Sequence, residues 1–170
     1  AASDVYKRQL LIAVDTSDEP LKELGRKLEA AAPDVVKPNA FELGQLAGID
    51  GGELERQADD GDLDAVVKAA AALVDKGVRE VLVPLGGAGA CLVTADGAWH
   101  AATPPAQVRS TVGAGDSSLA GYILARLDGK DFPAALRTAV AYGTAAAANP
   151  GTAIPSPEDI DYDRTTVREL

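Results

Sequence analysis

The sequence predicts an α/β domain with a largely parallel central sheet. Short apolar runs alternate with segments of helical periodicity, which is typical of parallel strands joined by helices. The runs at 10–17 and 80–86 are nearly continuous in apolar residues, as expected for strands buried on both faces. A hairpin signal at Asp96-Gly97, inside the run 90–101, adds antiparallel strands at one edge of the sheet.

Each element follows from a local pattern. Strands are expected at 10–17, 33–39, 80–86 and 90–101, and helices at 19–31, 40–48, 61–77, 116–129 and 131–151. Leucines 21, 24 and 28 recur at helical spacing in the first helix, after Pro20 in its first turn. Asp62 and Gly77 suit the two ends of the third helix. The polar tail after the last helix is expected to carry one weak helical turn.

Composition limits the partners of the chain. Its 170 residues fit one domain, and its net charge of −10 argues against nucleic acid or anionic membrane, because both reward clustered Lys and Arg. No apolar run reaches the ~18 residues of a membrane span. The single cysteine, Cys91, lies in a predicted strand, where a buried thiol is expected. It excludes an internal disulfide and favours a cytoplasmic location.

The chain contains no methionine, and its first nine residues are polar without clear periodicity. We therefore expect residues 1–9 to be an extraneous or misjoined segment. Residues 10–170 are expected to form the domain.

The stretch STVGAGDSS at 110–118 carries the strongest chemical signal. Gly113 and Gly115 let the backbone approach a ligand, and a helix that begins near Ala114 leaves its first amides free to bind an anion. Asp116 repels such an anion, but it can accept a proton from a hydroxyl that attacks a phosphoryl group. An ordinary glycine turn with an acid at the helix start explains the same residues about as well.

Two other stretches are expected near it, because ligands of parallel sheets bind at the carboxyl ends of the strands. In KPNAFEL, Lys37 can meet a phosphate, and Asn39 and Glu42 can orient Mg²⁺ through water. A helix cap is the simpler explanation of that pair. The glycines at 86–89 can pack against a nucleotide or form a tight turn between strands. His100 is expected to be an exposed residue of the hairpin.

Two familiar nucleotide motifs are excluded. The dinucleotide pattern G-x-G-x-x-G needs glycine at position 118, which is serine, so a dehydrogenase is disfavoured. Neither glycine cluster is followed by the Lys-Ser or Lys-Thr of a P-loop.

Three stretches, taken in order, closely resemble the C-terminal half of the ribokinase-like (PfkB) sugar kinases: KPNAFEL, VPLGGAGACLV and VRSTVGAGDSSLAGYILA. The resemblance extends from about Leu10 to Pro157. It implies the three-layer fold of that family, with the N-terminal half and the β lid missing from this sequence. Residues 10–170 would then be the nucleotide-binding and catalytic part of the kinase domain.

The resemblance also implies roles for individual residues. Asp116 would be the catalytic base, and the amides of Gly113, Ala114 and Gly115 would form the anion hole. Asn39 and Glu42 match the N-x-x-E motif linked to Mg²⁺, and Asn149 matches a position beside the adenine. ATP would contact the strand exit formed by Pro84, Leu85, Gly86, Gly87, Ala88 and Gly89. Relatives often have Ser or Thr where this chain has Pro84, so a hydroxyl contact to ATP would be lost.

The substrates implied are ATP and a phosphorylated ketose, and the motifs most resemble kinases that convert fructose 1-phosphate to fructose 1,6-bisphosphate. A tagatose-6-phosphate or 6-phosphofructokinase activity is the alternative, since sugar choice lies largely outside this sequence. A non-catalytic nucleotide-binding module is another, although it has no need of Asp116. The missing lid implies a homodimer of the complete protein. The 170 residues alone are expected to be inactive.

Overall fold

A computed structural model of the chain describes residues 11–104 and 107–170. The strands are β1 (Ala13–Val14), β2 (Val35–Val36), β3 (Glu80–Pro84), β4 (Ala90–Thr94), β5 (Gly97–Ala102) and β6 (Thr166–Glu169). The helices are α1 (Asp18–Ala31), α2 (Ala40–Ala47), α3 (Gly51–Asp59), α4 (Asp64–Val74), α5 (Ala114–Leu127) and α6 (Phe132–Ala148). Short 3₁₀ turns cover Gly86–Ala88 and Pro157–Asp159. The expectation that residues 1–9 are extraneous lies outside the described residues.

The strands form one mixed six-stranded sheet in the order β1-β2-β3-β4-β5-β6. Strands β1, β2 and β3 run parallel, and β4, β5 and β6 follow as antiparallel neighbours. The predicted hairpin is confirmed as β4–β5. Because Thr94 pairs with Gly97, its two-residue turn is Ala95-Asp96, one residue earlier than predicted.

Alternating strand residues separate two cores, one on each face of the sheet. Val36, Val81 and Val83 pack with helices α1 to α4, whereas Val35 and Leu82 pack with α5 and α6. Successive side chains of a strand point to opposite faces, so neighbouring valines belong to different cores. This arrangement confirms the predicted three-layer α/β fold. Cys91 is fully buried in β4, also as predicted.

The predicted helices are all present, and their ends have local causes. Gly48 caps the end of α2, and its φ of 73° places it in the left-handed region that favours glycine. Asp131 caps the start of α6, since its side chain accepts a hydrogen bond from the amide of Ala134. At α4 the residue before the helix is Leu63, and the expected cap Asp62 accepts a hydrogen bond from Asp64 instead. Among the described helices, none is long and apolar enough to cross a membrane.

Two elements differ from the prediction. Helix α3 was not predicted, although Asp50 caps it by accepting hydrogen bonds from Gly52 and Glu53. The tail forms a 3₁₀ turn at Pro157–Asp159, but it also adds β6, which pairs antiparallel with β5. The prediction of a tail with only a helical turn was therefore wrong.

A buried polar cluster fixes α5 to the sheet. The Tyr122 hydroxyl donates to Glu80 Oε2 at 2.7 Å, and Arg126 Nη2 lies 3.1 Å from Glu80 Oε1. Tyr122 is fully buried, and burial together with the Glu80 carboxylate raises the pKa of its hydroxyl. The Arg126 guanidinium also lies 4.3 Å from the ring centre of Phe132 in α6. These contacts tie β3, α5 and α6 together and so set the position at which α5 begins.

Candidate active site

A cleft of about 790 Å³ opens where β2 and β3 end and α5 begins. Its volume lies in the range of small-ligand sites in proteins. Three segments supply most of its lining. The exit of β3 contributes Pro84, Leu85, Gly86, Gly87 and Gly89, and the start of α5 contributes Ala114, Gly115 and Ser118. The small-residue face of α6 contributes Val140, Gly143, Thr144, Ala147 and Ala148. The three stretches expected at the carboxyl edge of the sheet therefore lie around one cavity.

The start of α5 presents free backbone donors to this cleft. Gly113 precedes the helix with a φ of 79°, which reverses the chain before the first turn. Among the described residues, the amides of Gly115 and Asp116 have no hydrogen-bond partner, whereas Ala114 donates to the Thr111 carbonyl at 3.3 Å. The amide of Gly113 is also without a partner among the described residues, so two of the three predicted donors, Gly113 and Gly115, are free and Asp116 adds another. Unpaired amides at a helix N-terminus attract an anion.

Asp116 is exposed in the first turn of α5. Its carboxylate belongs to the same turn as the free amides, so a bound anion and this acid would be close neighbours.

Lys37 lies beneath the same turn. Its side chain is only 8% exposed, and its Nζ forms an ion pair with Asp15 Oδ2 at 2.9 Å. The Nζ atom is also 3.2 Å from the position that a Cβ would take at Gly115. Sequence reasoning missed Asp15 as a site residue, although its place just after β1 at the carboxyl edge of the sheet was an available signal.

Asn39 and Glu42 form a reciprocal capping box at α2. Asn39 Oδ1 accepts from the Glu42 amide, and Glu42 Oε2 accepts from the Asn39 amide, both at 2.9 Å. The cap therefore accounts for the spacing of the pair. Within the described residues, no group of three or more His, Cys, Asp or Glu side chains could hold a metal. The oxygen atoms of these two residues suit a Mg²⁺ ion that keeps most of its water ligands.

The turn after β3 offers a second set of free amides. Gly86 and Gly87 line the cleft, and their amides have no hydrogen-bond partner among the described residues. A side chain at Gly89 would overlap the Ala101 carbonyl, so close packing on β5 requires glycine there. Ala88 differs from the prediction, because it packs against the core and is absent from the described cleft lining.

Asn149 lies just beyond the cleft. It is the half-buried residue that ends α6, directly after the lining residues Ala147 and Ala148. Sequence reasoning missed the hydroxyl groups of the lining, which belong to Thr103, Thr111, Ser118 and Thr144. Thr103 and Thr111 lie in the connection between β5 and α5, and Ser118 and Thr144 lie on helices; single small polar residues in such places give no distinctive sequence signal.

The electrostatics of the cleft rest on the backbone. Glu55 is the one charged side chain among the described residues that line it. An anion in this cleft would therefore be held chiefly by the amides near Gly86 and Gly115, with the Lys37 ammonium close to the second group. Two amide clusters around one cleft suit an extended polyanion such as a nucleotide phosphate chain.

An α/β domain with such a cleft at the carboxyl edge of its sheet has the arrangement of a nucleotide-dependent phosphotransferase. The model of the pfkB family carbohydrate kinases matches residues 3–159 of this sequence, and the chain belongs to that family.

The relatives agree with this assignment. The chain is 39% identical to a 1-phosphofructokinase of Rhodobacter capsulatus over 86% of this chain and 42% of the relative. It is 35% identical to the ATP-dependent 6-phosphofructokinase isozyme 2 of Escherichia coli over 92% of this chain and 47% of the relative.

Solved structures share the fold. One is the crystal structure of phosphofructokinase-2 from Escherichia coli in complex with substrates and products, with a TM-score of 0.75 and 32% sequence identity. The match covers 94% of this chain and 48% of the phosphofructokinase-2 chain. The chain thus spans about half the length of the relatives it matches.

Proposed function

We propose that the protein containing this chain is an ATP-dependent kinase that phosphorylates the 6-hydroxyl of fructose 1-phosphate, giving fructose 1,6-bisphosphate. The observation that carries the proposal is the first turn of α5, where the free amides of Gly115 and Asp116 accompany the Asp116 carboxylate. Family membership supports sugar phosphorylation, and several relatives named 1-phosphofructokinase support this acceptor.

Asp116 acts in this proposal as the general base. Its carboxylate accepts the proton of the sugar hydroxyl, whose oxygen attacks the γ-phosphorus of ATP, and ADP leaves. The amides at the start of α5 stabilise negative charge on the transferred phosphoryl group. Asn39 and Glu42 would hold Mg²⁺ through its water ligands, and the bound ion would supply neutralisation of the phosphate charge.

The nucleotide occupies the cleft between the β3 exit and α6. Gly86 and Gly87 donate amides to its phosphates, and the small side chains of α6 leave room for its base near Asn149. Pro84 has no hydroxyl and no amide proton, so this position contributes packing alone.

A 6-phosphofructokinase is the second candidate. It is favoured by the 35% identity to isozyme 2 of Escherichia coli over nearly the whole of this chain. The two candidates share the nucleotide cleft and Asp116, and differ in where the acceptor carries its existing phosphate.

Two further features belong to the proposal. The complete protein forms a homodimer through a β lid, and none of the described residues belongs to that lid. The protein works in the cytoplasm, where the buried Cys91 stays reduced.

The test is a substrate panel. Full-length protein is assayed for ADP release with fructose 1-phosphate, fructose 6-phosphate and tagatose 6-phosphate, with ATP and Mg²⁺ present. We expect the highest kcat/KM with fructose 1-phosphate, and no turnover from the 170-residue chain alone. If fructose 6-phosphate is the preferred acceptor, the 6-phosphofructokinase assignment replaces the first one. If no sugar phosphate leads to ADP release, both assignments are overturned.

A further inference from the structure

His100 contacts the glycine turn of the cleft. It is the single histidine of the chain, and in β5 it is half-buried instead of exposed as the sequence analysis expected. Its Nε2 lies 2.7 Å from the carbonyl oxygen of Ala88. A carbonyl can only accept a hydrogen bond, so Nε2 must carry the proton.

Backbone hydrogen bonds within the turn hold its shape. Its internal hydrogen bonds run from Ala88 to Leu85, from Gly89 to Gly86 and from Leu85 to Gly89. The turn joins β3 to β4, and the bond from Leu85 to Gly89 continues their pairing, so the sheet holds both ends of the turn. Among the described residues, His100 supplies the hydrogen bond that joins the Gly86–Ala88 turn to β5.

The geometry divides the turn into an anchored side and a ligand side. The carbonyl of Ala88 is held by His100, and the Ala88 side chain packs into the core. Gly86 and Gly87 line the cleft with amides that have no partner among the described residues. A shift of the Ala88 peptide would therefore move the amides that face the ligand.

We propose that His100 is a positioning residue for nucleotide binding, which holds the Gly86–Ala88 turn so that its free amides meet the phosphates of ATP. The inference rests on the proposed function and deepens it, because it assigns a role to a residue outside the cleft. Across the sheet His100 faces Cys91 of β4 and Arg168 of β6. Neither partner carries a carboxylate that could compete with Ala88 for the Nε2 proton.

The first experiment compares His100→Leu with His100→Gln in the full-length protein. Leucine removes the donor, whereas the amide of glutamine reaches about as far as Nε2 and can donate to Ala88. We expect His100→Leu to raise KM for ATP about threefold to tenfold, the range for loss of one hydrogen bond, with a smaller change in kcat. KM for the sugar phosphate stays the same, and His100→Gln restores KM for ATP to within about twofold of the wild type.

Arg168→Gln is the matched control, because Arg168 lies opposite His100 in the sheet and is exposed. It leaves KM for ATP at the wild-type value. An unchanged KM for ATP in a folded His100→Leu variant overturns the proposal, and so does an equal loss in the Leu and Gln variants.

A second measurement needs no variant and no turnover. In a ¹H–¹⁵N NMR spectrum of the full-length protein, the His100 ring must show a proton on Nε2 at neutral pH. A ring protonated on Nδ1 alone overturns the anchoring contact. If the wild type phosphorylates no sugar phosphate, the proposed function fails, while the spectrum still decides whether His100 holds Ala88.

Discussion

Lys37 Nζ lies 3.2 Å from where a Cβ would stand at Gly115, so the buried ammonium and the first turn of α5 are in direct contact. The same ammonium forms an ion pair with Asp15 Oδ2 at 2.9 Å. The lysine therefore has little freedom to withdraw, and position 115 has room for glycine alone without adjustment.

Gly115→Ala is expected to lower kcat about tenfold to hundredfold, because the methyl group displaces Lys37 or the helix start by a few tenths of an ångström. Thermal stability stays equal or rises, since alanine favours a helix over glycine. Steady-state kinetics and thermal unfolding of the full-length protein test this prediction.

Gly121→Ala on the same helix is the contrasting control. Its Cβ would lie 2.8 Å from Tyr142 Cγ, so overpacking costs about 1–3 kcal/mol of stability. If both variants lose stability and neither loses kcat in the folded form, Lys37 has no part in the site.

Asp116→Asn is expected to reduce kcat about 10²- to 10⁴-fold while the Kd of ATP changes little, because the amide cannot accept the hydroxyl proton. Turnover and titration with a fluorescent ATP analogue separate the two effects. Asp128→Asn at the other end of α5 serves as the control, and near-normal turnover of Asp116→Asn would refute the role of the base.

Tyr122→Phe is expected to lower the free energy of unfolding by about 1–3 kcal/mol, because it removes a donor from the buried Glu80 carboxylate. Urea denaturation measures the loss. Tyr162→Phe, at a side chain that is 40% exposed, is the matched control and changes stability by less than ~0.5 kcal/mol. Equal stability of Tyr122→Phe and the wild type contradicts the importance of this cluster.

Burial raises the pKa of the Cys91 thiol from 9.0 to about 12. The folded protein then keeps the thiol proton that the unfolded chain loses above pH 9, so this contribution to stability is complete below pH 9 and is lost as pH rises towards 12. The stability of the wild type should therefore fall more steeply between pH 8 and 10.5 than that of Cys91→Ala. Urea denaturation at both pH values tests the difference, and parallel curves contradict it.

The sequence predicted the layers and the site better than it predicted two small elements. Helix α3 opens with two glycines, which argue against a helix on propensity alone. Gly51 is required there because a side chain would collide with Phe41 of α2, a contact that a local pattern does not reveal. Strand β6 is short and polar, and its pairing with β5 depends on the completed sheet.

The same contrast between local sequence patterns and contacts across the fold applies to the site. The glycine motifs are local signals, and residues from both of them line one cleft. Asp116 is exposed in the first turn of α5 and is absent from the described lining, so its role stays a prediction. The pairing of Asp15 with Lys37 and the contact of His100 with Ala88 join residues from separate elements. Such contacts depend on how strands are ordered in the sheet, which spacing along the chain does not determine.

The neighbouring valines of β2 have a thermodynamic consequence. One peptide bond joins Val35, in the core beneath α5 and α6, to Val36, in the core beneath α1 to α4. Displacing β2 from the sheet withdraws Val35 from one core and Val36 from the other, so both cores lose packing when this strand is lost. We therefore expect the nucleotide wall and the helices behind it to unfold together, so that a ligand bound in the cleft also stabilises the far face of the sheet.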